Sequence, residues 1–183
     1  MKPIAKMTRA ELAAYIQSHL REKGIESVLT GGSAVSIFSG ENYVSMDLDF
    51  VITGYTRHSW IMDAMHEIGF HQAGRHFANP ETALLVEFPG GPLSVGKQQV
   101  SQIDTLEYET GTLRIISPAD CVKDRLAAYY HWGDRQSLTQ AIMVIQENWI
   151  DLSEVAAWSH GEGMLAEFEK IEPLLREASD KAS

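Results

Sequence analysis

The chain has 183 residues, of which 44% are hydrophobic and 22% charged, and its formal net charge at pH 7 is -10. These proportions are ordinary for a globular domain and exclude a collagen-like or low-complexity chain. The negative net charge argues against binding of DNA or RNA over a broad electrostatic surface, because neutralising phosphates requires clustered Lys and Arg. Small phosphorylated substrates are compatible with it, provided that metal ions bridge them to carboxylates.

Apolar segments of the chain are short. None approaches the roughly 20 residues that span a bilayer, and the first residues lack the apolar stretch of a secretory signal, so we expect a cytoplasmic protein with no membrane partner. The single cysteine, Cys121, has no partner for an internal disulfide and lies in a predicted helix. A buried structural thiol is the expectation for it.

The first half of the chain alternates predicted helices and strands. Thr8 and Glu11 have the spacing of a capping box, which predicts a helix start, and Gly24 predicts its end. Further on, acidic and apolar residues alternate before an apolar run, which predicts a strand with one wet and one buried face. The predicted elements are a helix over 9–23, a strand over 27–30, a helix over 33–38, a strand over 46–52 and a helix over 57–68.

In the second half, strands give way to helices. Strands are predicted over 83–88, 105–109 and 112–116, which gives a sheet of four or five strands in all. Ser117, followed by a proline and then an acid, predicts a helix start, and three or four helices fill the remainder. The expected fold class is therefore α+β: a mixed sheet flanked by helices over 1–116, with a helical region over 117–183 packed on it as a single compact unit.

Two carboxylates on the predicted strand over 46–52 suggest a metal site. Asp47 and Asp49 are two residues apart, so they project from the same side of the strand at a spacing of about 6.5–7 Å. At an effective dielectric of about 20, two ionised carboxylates brought together repel by roughly 2–3 kcal/mol. A bound cation removes this repulsion, and hard oxygen ligands suit Mg²⁺ or Mn²⁺.

A glycine pair just upstream supplies a complementary feature. Gly31 and Gly32 lack a Cβ and precede a predicted helix, so their backbone N–H groups can approach a phosphate, and Ser33 can add a hydroxyl. Glu87 lies in a second apolar strand, where an acid is costly to bury unless it is paired or metal-bound. We therefore treat Glu87 as the candidate third carboxylate.

Each of these features also has an ordinary structural interpretation. A glycine pair is usually a turn, two alternate aspartates are usually a solvated strand face, and Glu87 alone is more often an acid of an edge strand. Lys123 can reach triphosphate oxygens from the helix after residue 117, but a solvated helix face is the more common role. Three histidines do not share convincing metal-ligand spacing and are expected to be exposed or partly buried: His66, His71 and His76.

The combination of these features is more specific than its parts. A strand, Gly31-Gly32-Ser33, a short helix and then Ser45-x-Asp47-x-Asp49 on an apolar strand form one ordered unit. This unit resembles the nucleotidyltransferase superfamily that includes DNA polymerase beta, and more closely its minimal bacterial members, such as AbiEii-like toxins and antibiotic nucleotidyltransferases. The resemblance covers residues 25–90 well and the helical remainder only loosely.

The resemblance implies a reaction and a set of residue roles. Metal held by Asp47, Asp49 and Glu87 would bind a nucleoside triphosphate. An acceptor hydroxyl would then attack the α-phosphate, and pyrophosphate would leave. Two metal ions would stabilise the attacking and the leaving oxygen. The family more often has aspartate at the third position. The residues implied to be catalytic and metal-binding are Asp47, Asp49 and Glu87, and those implied to bind nucleotide are Gly31, Gly32, Ser33, Ser45 and Lys123.

Three hypotheses about function follow. The first is a metal-dependent nucleotidyltransferase whose acceptor is RNA, a protein or a small molecule, and which acts as a toxin with an antitoxin partner or as a small-molecule modifier. The second is a non-catalytic nucleotide-binding or regulatory protein with the same fold. The third, a purely structural partner protein, leaves the acid pair and the glycine turn without a shared purpose. The presence of both Asp47 and Asp49 favours the enzyme.

Overall fold

The computed structural model describes residues 2–100 and 102–181. Contacts divide the chain into two compact units. One is drawn from Met1–Ala34, Ser45–Leu93 and Gln102–Ile116, and the other from Val35–Val44, Ser94–Ser101 and Ser117–Ser183. We call them the sheet unit and the helical unit. Within the described ranges, no helix has both the length and the apolar character that crossing a membrane requires.

The sheet unit contains a mixed sheet that has seven strands within the described residues: β1 Ser27–Thr30, β2 Asp47–Ile52, β3 His71–Ala73, β4 His76–Ala78, β5 Leu85–Glu87, β8 Ile103–Tyr108 and β9 Gly111–Ile116. Their order in the sheet is β3-β4-β5-β2-β1-β9-β8. Strand β1 runs antiparallel to β2 and parallel to β9, and β2 runs parallel to β5.

Strand β2 shows why the acidic residues face away from the core. Leu48 and Phe50 are fully buried, whereas Asp47 and Asp49, which alternate with them, are partly exposed. Val86 on the neighbouring strand is also fully buried. One face of the sheet is thus apolar and packed, as the alternation along 46–52 predicts, and the acids project from the other face.

Helices α1 Arg9–Glu22 and α3 His58–Glu67 belong to the sheet unit. The capping box predicted from the sequence is present at the start of α1, where Thr8 accepts from the Glu11 N–H and the Glu11 side chain bonds the Thr8 N–H. Gln17 of α1 donates to the carbonyl oxygens of Ser27 at 3.1 Å and Arg114 at 3.0 Å. One amide thus ties α1 to both β1 and β9, two neighbouring strands of the sheet.

The helical unit contains four helices within the described residues, together with a short β-hairpin. Trp158 donates its indole N–H to the Val95 carbonyl at 3.3 Å, and Glu162 accepts the backbone N–H of Lys97 at 2.8 Å, so the hairpin is fastened to a helix. The elements are α4 Pro118–Trp132, α5 Arg135–Glu147, α6 Leu152–Gly161, α7 Leu165–Asp180, β6 Ser94–Val95 and β7 Gln98–Gln99, while helix α2 Gly31–Phe38 begins in the sheet unit and ends in this one.

The α+β fold class with a helical C-terminal region is confirmed. The expected sheet of four or five strands is wrong, because the sequence pattern missed the hairpin formed by β3 and β4. The division into 1–116 and 117–183 stays a prediction; the contact-based units differ from it, since 35–44 and 94–101 group with the C-terminal helices, and 182–183 lie outside the described residues. Cys121 is buried, and burial raises the pKa of its thiol.

Candidate functional site

The three candidate acids lie on two adjacent strands of the sheet. Strands β2 and β5 run parallel, and their register places Asp49 directly opposite Glu87 and Asp47 opposite Leu85. Paired residues of neighbouring strands project to the same face, as do residues two apart on one strand. The fold therefore gathers Asp47, Asp49 and Glu87 on one face, although Glu87 follows Asp49 by 38 positions in the sequence.

This acidic group belongs to a longer polar row across the sheet. On one side of Asp49, strand β1 contributes Thr30, which is its register partner. On the far side of Glu87, strand β4 contributes His76, which is the register partner of Glu87. Four neighbouring strands thus present Thr30, Asp49, Glu87 and His76 in line on the same face, with Asp47 beside them.

Gly31 is shaped to fit against Asp49. Its φ is 64°, a left-handed conformation that favours glycine. A Cβ placed on Gly31 would lie 2.4 Å from Oδ2 of Asp49 and 3.1 Å from its carboxyl carbon, far inside van der Waals contact. The Asp49 carboxylate therefore occupies the space next to the Gly31 Cα, at the point where helix α2 begins. The structure thus supplies a packing reason for this glycine in addition to the phosphate-binding role inferred from the sequence.

Ser33 and Ser45 both hydrogen-bond the backbone of Asp47. Ser33 is fully buried and donates its hydroxyl to the Asp47 carbonyl, while Ser45 accepts the Asp47 N–H at 3.2 Å. Arg9, also buried, donates to the Ser45 carbonyl and to the Ser33 hydroxyl. These contacts fix the first residue of β2 and therefore the origin of the acid pair. Sequence patterns gave no sign of the role of Arg9, because its partners are 24 and 36 residues away.

The structure also brings His76 to the acids, which the sequence did not suggest. The Nε2 atom of His76 lies 3.3 Å from Oε2 of Glu87 and 3.9 Å from Oδ1 of Asp47. Its neighbour Arg75 lies with Nε 3.6 Å from Oε1 of Glu87, on a side chain that is 75% exposed. The sequence alone does not show the contact between His76 and Glu87, because it depends on the β3–β4 hairpin, in which β4 pairs with β5. The apolar Phe77-Ala78 pair after the polar Arg75-His76 pair gives no alternation that would predict a strand there.

Lys123 belongs to the helical unit and is engaged in ion pairs. Its ammonium group contacts Oδ1 of Asp120 at 3.1 Å and Oε1 of Glu154 at 2.6 Å, and its side chain is 3% exposed. Burial opposes the charge, but the hydrogen bond to Glu154 and the charge of Asp120 outweigh it, so the pKa of Lys123 is raised. The charge of Lys123 is thus balanced within its own unit.

A pocket of about 390 Å³ lies beside this ion pair within the helical unit. Its volume falls in the range of small-molecule sites, which is about 300–1,000 Å³. Its lining carries both signs of charge, so its composition does not select one ligand chemistry. The residues that line it are Lys97, Gln98, Lys123, Glu154, Ala157, Trp158, Gly161 and Glu162.

The donor set of the acidic group fits a hard divalent cation, since its carboxylate oxygens share one face of the sheet. Within residues 2–100 and 102–181, no three His, Cys, Asp or Glu side chains converge closely enough to hold an ion as they stand. Asp47 retains freedom to rotate, because its side chain is 40% exposed. Metal binding by these acids therefore stays a prediction.

Comparison with known proteins supports the fold. No protein-family model matches the chain, and no curated protein is significantly similar to it in sequence. The chain is similar to an antigenic nucleotidyltransferase-like protein from Paracoccidioides brasiliensis, with 17% identity and a TM-score of 0.65 over 94% of this chain and 93% of that one. A solution structure of the antibiotic-resistance factor ANT(2'')-Ia matches with 13% identity and a TM-score of 0.47 over 89% and 92%.

The likeness to the Paracoccidioides protein extends over nearly the whole of both chains. The chain therefore has a nucleotidyltransferase-like fold, with its sheet and its helices both included in the match. At this level of identity the likeness concerns the fold. The narrower resemblance to AbiEii-like toxins stays a prediction.

Proposed function

We propose that the protein is a metal-dependent nucleotidyltransferase, which transfers a nucleoside monophosphate from a nucleoside triphosphate to a hydroxyl acceptor. One observation carries the proposal: Asp47, Asp49 and Glu87 share a face of the sheet, and Asp49 packs against the glycine at which helix α2 begins. Acids for a cation and a helix N-terminus for phosphate are thereby neighbours. A nucleotidyltransferase-like fold is consistent with this combination.

Each part of the site has a role in binding the triphosphate. The backbone N–H groups of Gly31 and Gly32, at the start of α2, favour negative phosphate oxygens. Asp47, Asp49 and Glu87 are the residues that would hold Mg²⁺ or Mn²⁺, which supplies Lewis acidity and neutralises phosphate charge when bound. Ser33 and Ser45 contribute indirectly, because their hydroxyls hold the backbone of Asp47.

In the transfer step, Glu87 acts on the acceptor hydroxyl. The acceptor oxygen forms a bond to the α-phosphorus, the bond from that phosphorus to the oxygen bridging the β-phosphate breaks, and pyrophosphate leaves with the electron pair. The proton of the acceptor hydroxyl passes to a carboxylate oxygen of Glu87. Glu87 suits this role because its side chain is 20% exposed, which allows an acceptor to reach it while limiting competing water.

The test separates an enzyme from a nucleotide-binding protein. Labelled nucleoside triphosphates are offered with Mg²⁺ or Mn²⁺ and a panel of RNA, protein and small hydroxyl compounds, and both label transfer and pyrophosphate release are measured. We expect Glu87→Gln to retain appreciable triphosphate binding while turnover falls at least about 10²-fold, the usual range for a general acid–base contribution.

Two results would redirect the proposal. Wild-type protein that binds triphosphate with metal but releases no pyrophosphate across the panel favours the non-catalytic binder. Glu87→Gln with wild-type turnover retains the enzyme and removes the third carboxylate from it. Lys123 as a triphosphate ligand, a toxin role and an antitoxin partner stay predictions, and transfer to an RNA or protein acceptor is the outcome of this panel that would support a toxin.

A further inference from the structure

Glu162 is a buried carboxylate on the wall of the pocket in the helical unit. The residue is only 6% exposed, and its Oε1 atom accepts the backbone N–H of Lys97 at 2.8 Å. A Cβ added to Gly96 would lie 2.6 Å from its Oε2 atom, so the carboxylate rests against a residue that has no side chain. One hydrogen bond and one close packing contact therefore hold this acid beside a cavity of about 390 Å³.

No cation of the described residues balances the charge of Glu162. Within residues 2–100 and 102–181, no Lys, Arg or His nitrogen lies within 4.0 Å of its carboxylate oxygens, and no group donates a hydrogen bond to Oε2. A carboxylate removed from water is costly unless a partner compensates its charge. Because Glu162 lines the pocket, a ligand bound there can be that partner.

Helix α6 adds to the preference of this position for a positive group. The helix ends at Gly161, and both Gly161 and its C-cap residue Glu162 line the pocket. The C-terminus of a helix carries a partial negative charge, which stabilises cations placed near it. A metal ion does not fit, since no three His, Cys, Asp or Glu side chains of the described residues converge to hold one. A protonated amine fits, because an ammonium group can be bound by a single carboxylate through a charge-assisted hydrogen bond.

Lys97 provides charge of the opposite sign in the same pocket. The residue is exposed, and no carboxylate within the described ranges forms an ion pair with its ammonium group. Lys123, which also lines the pocket, is already paired with Asp120 and Glu154. Lys97 is therefore the lining cation best able to bind an anionic group of a ligand.

We propose that this pocket binds a small zwitterion of the amino-acid class, with its ammonium group on Oε2 of Glu162 and its carboxylate on the ammonium group of Lys97. The composition of the lining does not select a ligand, but the positions of these two unpaired charges do. Ala157 and Trp158, also in the lining, present apolar atoms to the carbon chain between the two charges. The volume lies at the lower end of the range for small-molecule sites. The inference goes beyond the proposed function and does not depend on it, since none of the acids of the sheet unit takes part.

A simpler arrangement is that the Lys97 side chain turns onto Glu162 and neutralises it without a ligand. In that case amines and zwitterions compete with Lys97 for the carboxylate, so replacing Lys97 strengthens the binding of both. If Lys97 instead binds the carboxylate of the ligand, its replacement weakens the binding of zwitterions and leaves that of plain amines unchanged. The two arrangements therefore predict different effects of one substitution.

The experiment uses the full chain without triphosphate or metal. ω-Amino acids of increasing length, from glycine to ε-aminocaproate, are titrated beside the matched amines and carboxylates, which carry one charge each. Affinities are measured by calorimetry for wild type, Glu162→Gln, Lys97→Gln and Glu169→Gln. Glu162→Gln retains an oxygen that can accept the Lys97 N–H, and Glu169, exposed on α7 of the same unit, is the control position.

We expect at least one zwitterion of the series to bind wild type at least about 10-fold more tightly than its matched amine and its matched carboxylate. Glu162→Gln and Lys97→Gln should each lower the affinity for that zwitterion at least about 10-fold, as expected for the loss of a hydrogen bond to a charged group, and Glu169→Gln should not change it. In nuclear magnetic resonance spectra of wild type, the indole N–H signal of Trp158 should shift during the titration. The signals of Trp132 and Trp149, which are 85% and 83% exposed and do not line the pocket, should stay in place.

Tighter binding of zwitterions by Lys97→Gln would overturn the inference in favour of the internal ion pair. Equal wild-type affinity for a zwitterion and its matched amine would also overturn it, as would the absence of binding by every member of the series. Binding that leaves the Trp158 signal unmoved places the ligand elsewhere and rejects the pocket, and this wild-type measurement decides even if a variant fails to fold.

Discussion

The two units each carry a charged cluster, and the clusters differ in how their charges are balanced. In the helical unit, Lys123 contacts Asp120 and Glu154 directly, and its side chain is nearly fully buried. In the sheet unit, Asp47 and Glu87 share a face with a third acid, and Arg75, on a side chain that is 75% exposed, approaches Glu87. A buried cluster balanced by its own partners is typical of structure, whereas partly exposed acids that share one face are candidates for a functional site.

The largest expected effect tests the acidic cluster. Asp47→Asn combined with Asp49→Asn should abolish the metal-dependent part of triphosphate binding and leave the fold intact, because these acids lie on the solvated face of β2 while its other face packs the core. Calorimetric titration of triphosphate with and without Mg²⁺ measures the effect. Asp104→Asn, on β8 of the same sheet, is the matched control and should keep wild-type metal dependence. Unchanged metal dependence in the double variant would remove the acids from the site.

The next effect tests the fit between Gly31 and Asp49. Gly31→Ala adds a methyl group 2.4 Å from Oδ2 of Asp49 and a side chain at a φ of 64°. We expect a loss of about 2–3 kcal/mol in the free energy of unfolding and a loss of at least about 10-fold in metal-dependent triphosphate affinity.

Gly24→Ala provides the comparison, because Gly24 has a φ of 76° and nothing within 4 Å of the added methyl group. It should cost only about 1–2 kcal/mol of backbone strain and leave triphosphate binding unchanged. Denaturant unfolding and calorimetry on both variants separate strain from displacement of the carboxylate. Equal effects of the two substitutions on binding would contradict the role of this contact.

Lys123→Met tests the balanced cluster and should affect stability. It leaves Asp120 and Glu154 without their cation, and we expect about 2 kcal/mol of destabilisation, below the roughly 3–5 kcal/mol of a fully buried pair because Glu154 is 56% exposed. Denaturant unfolding measures it. A loss of triphosphate affinity with unchanged stability would instead support Lys123 as a nucleotide ligand.

The pH dependence of the Lys123 effect follows from the raised pKa of Lys123. Because the folded pKa exceeds the unfolded value, the contribution of Lys123 is fully present below about pH 10.4 and is lost as pH rises through the folded value. The stability difference between wild type and Lys123→Met should therefore be constant near neutral pH and shrink in strong alkali. A difference that grows with pH would contradict the ion pair.

The smallest expected effect concerns the start of helix α4. Ser117 caps this helix by accepting the Asp120 N–H at 3.1 Å. Ser117→Ala should lower the free energy of unfolding by about 1 kcal/mol, the usual contribution of an N-cap, without altering triphosphate binding. Thermal unfolding measures the change, and Ser117→Asp, which restores a capping oxygen, should recover most of it.

Local patterns in the sequence predicted the elements well where one segment contains all of the signal. The capping pairs predicted the starts of α1 and α4, and the alternation along 46–52 predicted both β2 and the shared face of Asp47 and Asp49. The position of the third acid, Glu87, could not be predicted from a local pattern alone. The sequence marked Glu87 as unusual, but the register that sets it opposite Asp49 arises from pairing two strands with a helix and a hairpin between them.

Other parts of the site could not be predicted from the sequence, for a physical reason. Strands β3 and β4 have three residues each, too few for a period of two to be recognised, so the approach of His76 to Glu87 was missed. The position of Ser33 beside two glycines predicts a phosphate ligand, and this role stays a prediction; the bond from its hydroxyl to the Asp47 carbonyl has no signal in the sequence. Contacts of this kind depend on the tertiary fold, in which chain segments far apart in sequence supply the partners.

The shared volume of Gly31 and Asp49 also has an evolutionary consequence. A side chain at position 31 and a carboxylate at position 49 exclude each other in this fold, because the added methyl group and Oδ2 compete for one space. Lineages that keep the acid are therefore expected to keep the glycine, whereas loss of the acid removes the clash and leaves only the strain of a left-handed φ of 64°. Under the proposed function, a side chain at position 31 is thus expected only in relatives that lack the acid at position 49.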